Sequence, residues 1–210
     1  MKNQTTIAPR TKAVLFIIKL LVLLLSSSAC LFGQPSIDKG KALYETKKYP
    51  EAEKVFKAVP EKTIDYAAAQ YYLGRISYDK KEYDDAADYF KIATEVNPKE
   101  GDYFNRLGDA YAAIGAHTNA FRQMSVGPKA LKAWETATKL DDKNINARVS
   151  LIEVYRMAPG FIGGGVDKSN AIAKEAFVLL DEALKKTPDH HHYLPEFLGF
   201  LEFQKNPENQ

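Results

Sequence analysis

Small and bulky apolar residues recur along this chain in a fixed order. A small residue is followed four positions on by a bulky one, three further by another small one, and then by a proline or a turn-forming residue. The order reads Ala86, Phe90, Ala93, Pro98, then Ala130, Trp134, Ala137, Asp142, then Ala176, Leu180, Ala183, Pro188. A looser copy precedes them: Ala52, Phe56, Val59 and Pro60. Steps of four and three place these positions on one face of an α-helix, so each copy predicts an amphipathic helix ended by its proline. A longer period carries the copies. Gly40 and Gly74 are 34 residues apart, as are Tyr49 and Tyr83, Ala52 and Ala86, and Phe56 and Phe90. Leu107-Gly108 follows Leu73-Gly74 at the same interval.

This period and order resemble the tetratricopeptide repeat, whose unit is a pair of antiparallel helices. The resemblance implies an all-α solenoid of about four helix pairs plus a C-terminal capping helix, over residues 34–210. Gly and Ala would let the helices of a pair approach closely, while Phe56, Tyr89, Phe90 and Trp134 would fill the space between units. No unit buries its apolar face alone, so stacked neighbours supply the core. The last segment, "YLPEFLGFLEFQ", has a first-helix pattern with no second helix after it, which predicts the cap. Leu194, Phe197, Leu198 and Leu201 form its packing stripe. Phe200 and Phe203 lie off that stripe, as a candidate patch for a partner or a second copy.

In this family ligands lie in a concave surface lined by first helices. Tyr71, Arg75 and Tyr78 share one helix stripe at i, i+4 and i+7. The equivalent positions are Asn105, Asp109 and Ala112 in the third copy, and Val149, Glu153 and Arg156 in the fourth. Mixed aromatic and charged stripes suit an extended peptide, which they can stack on, hydrogen-bond and pair with. The resemblance thus implies a non-catalytic scaffold that binds a protein or peptide, without cofactor or metal. Its candidate groove is Tyr71, Arg75, Tyr78, Asn105, Asp109, Glu153 and Arg156. The Lys/Asn/Arg set with which some family members hold a chaperone tail is not matched.

Two insertions interrupt the period. From the glycine or its equivalent to the first small residue of the second helix, regular copies take 12 residues, but Gly108 to Ala130 takes 22 and Ile152 to Ala176 takes 24. Both excesses are expected in the turn inside a pair, so residues 116–128 and 158–168 would form one edge that shapes or gates the groove. The second, "MAPGFIGGGVDKS", looks at first like a phosphate loop. Such a loop needs Lys directly after its last Gly, and Val166 stands there; Lys168-Ser169 comes two residues late. What precedes is helical rather than a strand. The segment reads instead as a helix stop at Pro159-Gly160, glycines free to take positive φ, and Asp167 or Ser169 capping a helix that runs to about Lys186. An alternative reading gives the inserted loops a small ligand or an enzymatic site.

The N-terminus adds a location. Lys2, Arg10 and Lys12 precede an apolar run from Ala13 to Leu25, broken by Lys19, and then small residues from Ser26 to Ala29. That order is a secretory signal peptide, here residues 1–33, and predicts a periplasmic or extracellular protein. Three processing outcomes stay open: lipidation at Cys30, ordinary cleavage before Gln34, or an uncleaved anchor. Loss of residues 1–33 removes four bases and no acid, leaving 25 bases against 27 acids and no cysteine. A near-neutral chain gives no electrostatic reason to bind nucleic acid. His190, His191 and His192 follow Pro188-Asp189; consecutive histidines in a linker do not easily face one ion, so no metal site is assigned.

Overall fold

The computed structural model describes residues 37–157 and 165–186. Within them lie eight α-helices: α1 Ile37–Glu45, α2 Tyr49–Lys57, α3 Tyr66–Asp79, α4 Tyr83–Val96, α5 Gly101–Ala116, α6 Ala120–Leu140, α7 Ile145–Met157 and α8 Val166–Lys186. The signal-like residues 1–33 with Cys30, the histidine run and the expected capping helix lie outside the described residues. Among the described residues no helix is long and apolar enough to cross a membrane.

The helices pack in four successive pairs, and each second helix also packs on the first helix of the next pair. Ala52 and Phe56 of α2 are buried with Ala69, Leu73 and Ile76 of α3. Ala86, Phe90 and Ala93 of α4 meet Leu107, Ala110 and Ile114 of α5. Ala130, Trp134 and Ala137 of α6 meet Ala147, Leu151 and Tyr155 of α7. The small-large-small order of each second helix is thus the record of two packing partners, one before it and one after.

Inside each of the first three pairs, a glycine of the first helix receives the bulky residue of the second. A Cβ on Gly74 would stand 2.7 Å from Phe90 Cδ1, and one on Gly108 would stand 2.6 Å from Trp134 Cδ1. Gly40 meets the Phe56 ring in the same way. The repeat extends to the backbone of the turns. Lys47 and Lys81 both take positive φ, at 57° and 65°. At each turn the left-handed residue and its successor bond back to the helix: Lys81 N to Tyr78 O at 2.9 Å and Glu82 N to Ser77 O at 2.8 Å. This pattern satisfies two carbonyls that the helix end would otherwise leave open.

First helices touch one another down the array, α1 with α3, α3 with α5, and α5 with α7, whereas no described second helix touches another. Neighbouring repeats are therefore closer on the first-helix side, which makes that side the inner face of the curve.

The first insertion differs from expectation. Instead of lengthening a turn, most of it extends α6 by about two helical turns at its N-terminus. Asn119 starts that extension, its side chain accepting from Arg122 N at 3.0 Å. Val126 anchors it, buried against Ile114 in the core beneath. Pro128 stands inside the helix, where a proline ordinarily breaks it. The pair is tolerated because Gly127 has no Cβ to clash with the proline ring, and the missing N–H leaves only the Met124 carbonyl without its helical partner. Phe121 and Met124 on this arm are 86% and 78% exposed.

At the second insertion, residues 158–164 lie outside the described set. Gly165 takes φ 155°, a positive angle of the kind expected there, and donates its N–H to Tyr155 O at 2.9 Å. Neither expected residue caps α8, which begins at Val166. Asp167 lies within its first turn. Ser169 is fully buried and ties α8 to α7 by donating Oγ–H to Ile152 O at 2.9 Å.

The glycine contact yields a direct test. Gly74→Ala forces the Phe90 ring from its place, so the array should lose about 1–3 kcal/mol, the usual cost of overpacking. Urea unfolding would show it as a lower midpoint, with partial recovery on adding Phe90→Leu. A midpoint equal to the parent's would show that the close approach is not a constraint.

Candidate functional site

On the inner face α1, α3 and α5 are linked through tyrosine hydroxyls and carboxylates. Tyr44 of α1 donates to Asp79 Oδ2 of α3 at 2.8 Å, and Tyr49 donates to the same oxygen at 2.9 Å. Tyr71 of α3 donates to Asp102 of α5. The Tyr71 ring also stacks on Tyr103, with centroids 4.9 Å apart. Burial first, and then the Asp79 bond, push the Tyr44 phenol up to about 12. Tyr71 is raised as well, by burial and then by the neighbouring Asp102 charge. These hydroxyls are donors throughout the physiological range.

Arg75 lies within this frame. Its guanidinium carbon is 4.4 Å from the centre of the Tyr44 ring, 5.4 Å from Tyr72 and 5.7 Å from Tyr71, all within cation–π range. Across on α5, Arg106 Nη1 approaches Asp109 Oδ2 at 3.4 Å. The other oxygen of Asp109 accepts the Trp134 indole N–H at 3.0 Å. Asn105, one residue before Arg106, is 1% exposed, and neither atom of its amide has a partner among the described residues. The buried Nε of Arg106 also lacks one.

The candidate residues of the sequence fall into distinct places. Tyr71 and Arg75 are together, but Tyr71 is 7% exposed and belongs as much to the core as to the face. Tyr78 is half-buried and packs edge-on against Tyr83. Asn105 is buried, and Asp109 is committed to Trp134 and Arg106. Ala112 packs on the Trp134 core and Val149 on the α7–α8 core. Glu153 and Arg156 are exposed on α7, one pair beyond the tyrosine frame. Sequence reading passed over Tyr44, Asp79, Asp102 and Arg106. Equivalence at 34 residues picks out Asn105 for Tyr71, whereas the residue that faces Tyr71 is Asp102, 31 positions on. No repeat spacing encodes that offset. Among the described residues no group of histidine, cysteine or acidic side chains could hold a metal ion.

The third repeat explains its own acid. Where the first two pairs bury a phenylalanine against the glycine, the third buries Trp134, whose N–H needs an acceptor. Asp109, directly after Gly108, supplies it; Lys41 and Arg75 stand at the equivalent places of the earlier pairs. Burial raises the Asp109 carboxyl above its ordinary 3.8, with Arg106 and the indole N–H pulling back only in part. A raised carboxyl gives stability that is present below its ordinary value and lost as pH rises through the folded value. In urea unfolding from about pH 4 to pH 7, the parent should therefore lose ground against Asp109→Asn, which retains an acceptor for Trp134. Parallel stability curves would refute this account of the carboxylate.

Comparison with known proteins agrees with this architecture. Residues 37–95 and 78–124 match the family described as tetratricopeptide repeat. No curated protein matches the chain in sequence. The fold is similar to a crystal structure of MamA, at 20% identity, 76% coverage of this chain, 86% of that one and a TM-score of 0.57. It is also similar to TTC0263, a thermophilic TPR protein in Thermus thermophilus, at 21% identity, 82% and 91% coverage and a TM-score of 0.56. A second MamA structure gives 22% identity, 73% and 77% coverage and a TM-score of 0.53. The helix pairing, the glycine contacts and the family match together make this a tetratricopeptide-repeat fold, with the repeat signature in residues 37–124.

Proposed function

We propose that the protein is a non-catalytic scaffold, exported from the cytoplasm, that holds a protein or peptide partner against the inner face of its first helices. One observation carries this reading: the inner face of α1, α3 and α5 joins aromatic rings and guanidinium groups on a frame locked by its own hydrogen bonds. A rigid face of this kind can stack on side chains and pair with a peptide backbone without first ordering itself. The order of bases, apolar run and small residues in 1–33 supports export, with lipidation at Cys30 or cleavage before Gln34 as its two processed forms.

A small-ligand reading has one observation in its favour. A surface cavity of about 310 Å³ lies at the turn edge, lined among others by Lys81, Asp84, His117, Thr118 and Arg122. Three of its polar side chains are already paired: Arg122 with Asp84, and His117, whose Nδ1 is 2.8 Å from Ala113 O. The inner face therefore remains the stronger candidate.

A display library of random peptides should yield binders to the purified full chain. Arg75→Glu should weaken them by at least about tenfold, the scale of a lost charged contact. Lys91→Glu, on the exposed flank of α4, should leave them unchanged. Failure to select any peptide, or equal loss with both variants, would overturn the reading. Export has its own measurement. Intact mass of the protein from the envelope fraction should correspond to a chain beginning at Gln34, or at a lipid-modified Cys30. Full-length chain confined to the cytosol would exclude export.

A further inference from the structure

We propose that the outer face of α4 and α6 is a two-fold docking surface for a second copy of this chain. It is separate from the inner face and leaves that face open.

The four second helices differ in charge. α2 and α8 each hold as many bases as acids. Along α4 stand four acids, Asp84, Asp85, Asp88 and Glu95, and one base, Lys91, for a formal charge of −3. Along α6 stand four bases, Arg122, Lys129, Lys132 and Lys139, and one acid, Glu135, for a formal charge of +3. The opposition is ordered as well. Ala86 and Ala130 are equivalent positions of the two helices, 44 residues apart. At that offset Asp85 is level with Lys129, Asp88 with Lys132, Lys91 with Glu135 and Glu95 with Lys139, and every pair joins opposite signs. Stacking of repeats fixes the small and bulky apolar positions of a second helix, but not the sign of its outward residues.

One chain alone leaves this complementarity unused. α4 and α6 do not touch, and among the described residues the ion pair that joins them is Arg122–Asp84, out on the arm. Of the eight level residues, Glu135 is half-buried and accepts from Tyr155, and the other seven are exposed. Lys91 and Glu95 make only an open contact with each other, at 3.8 Å. Lys129 lies 5.6 Å from the centre of the Tyr111 ring, on the α5 surface between the two helices. At the turn before α4, Lys80 pairs with Glu53 of α2, and Lys81 and Glu82 offset each other.

A second copy supplies the missing partners. A two-fold axis parallel to the helices and midway between them lays each α4 on the partner's α6 at the same level. The −3 helix then meets the +3 helix twice, and all four level pairs are matched in both seams. The arm of each copy runs on past the partner's α4 and over its turn edge, where the cavity of about 310 Å³ lies. Phe121 and Met124, 86% and 78% exposed in one chain, are covered there. With α4 only about 20 Å long, the footprint is small for a specific interface, so the dimer is expected to be reversible and weakened by salt. The two inner faces then point outward from one assembly, which gives a partner with two sites the benefit of avidity.

Sedimentation of the full chain over a concentration series tests this, in a mild detergent that keeps any retained N-terminal segment from associating. The parent should pass from monomer to dimer as concentration rises, and less readily in high salt. Asp85→Lys with Asp88→Lys, and separately Lys129→Glu with Lys132→Glu, should each weaken the dimer by about tenfold or more, because like charges then face each other in both seams. Mixed together, the two variants should form a heterodimer of parental strength, and a chain carrying all four substitutions should dimerise like the parent. Phe121→Ser should also weaken the dimer. Ile64→Glu, at a 96% exposed site at the other end of the helices, should leave it unchanged. Helical circular dichroism checks that each variant is folded. The proposal is overturned if the parent stays monomeric throughout, whatever lipid vesicle or other protein its outer face then binds. It is equally overturned if either double variant dimerises like the parent, or if mixing the two restores nothing.

Discussion

The rest of the structure depends on one contact: a helical glycine pressed against the bulky residue of its partner helix. Where Gly74 meets Phe90, only a missing Cβ allows the ring to lie flat on the backbone of α3. This close approach sets the spacing within a pair and thereby fixes which residues of the second helix remain for the next pair. Phe90 meets Gly74 on one side and takes part in the α4–α5 core on the other. The 34-residue period is the sequence expression of that double duty.

The same contact decides which residues can serve the inner face. The position after the glycine looks along the first helix toward that face. A phenylalanine partner makes no polar demand, and positions 41 and 75 are free to be cationic. Trp134 in the third pair brings an indole N–H, and Asp109 is taken up in answering it. One aromatic substitution thus turns an inner-face position into a structural one, and the carboxylate it requires is then balanced by Arg106. The charge pattern of the inner face is partly a by-product of core packing.

This coupling also marks what the sequence could and could not tell. Pairing, helix order and the close approach at the glycines were legible, because they repeat at a fixed interval and need only size and spacing; that Phe56, Phe90 and Trp134, expected between units, also meet the glycine of their own pair was not. The inner face was legible only in outline. Tyr71 and Arg75 stood out as a stripe, but the partners that fix them, Tyr44, Asp79 and Asp102, are set by how neighbouring first helices cross. Burial of Asn105 and Tyr71 was hidden for the same reason. The first insertion was expected in the turn because spacing shows only that residues were added between the two helices, not that they are helical. Burial of Val126 against α5 and the Asn119 cap outweigh one lost helical hydrogen bond.

The groups that join the first helices to one another also position a cation on the inner face. The tyrosine hydroxyls are occupied by Asp79 and Asp102, which joins α1 to α3 and α3 to α5. The faces of Tyr44, Tyr71 and Tyr72 are occupied by the Arg75 guanidinium. These rings are steeply inclined to one another, Tyr44 and Tyr72 at 69° and Tyr71 and Tyr72 at 88°, so they enclose the guanidinium from several sides. The tyrosine frame therefore joins the first helices and positions a cation among their rings at once.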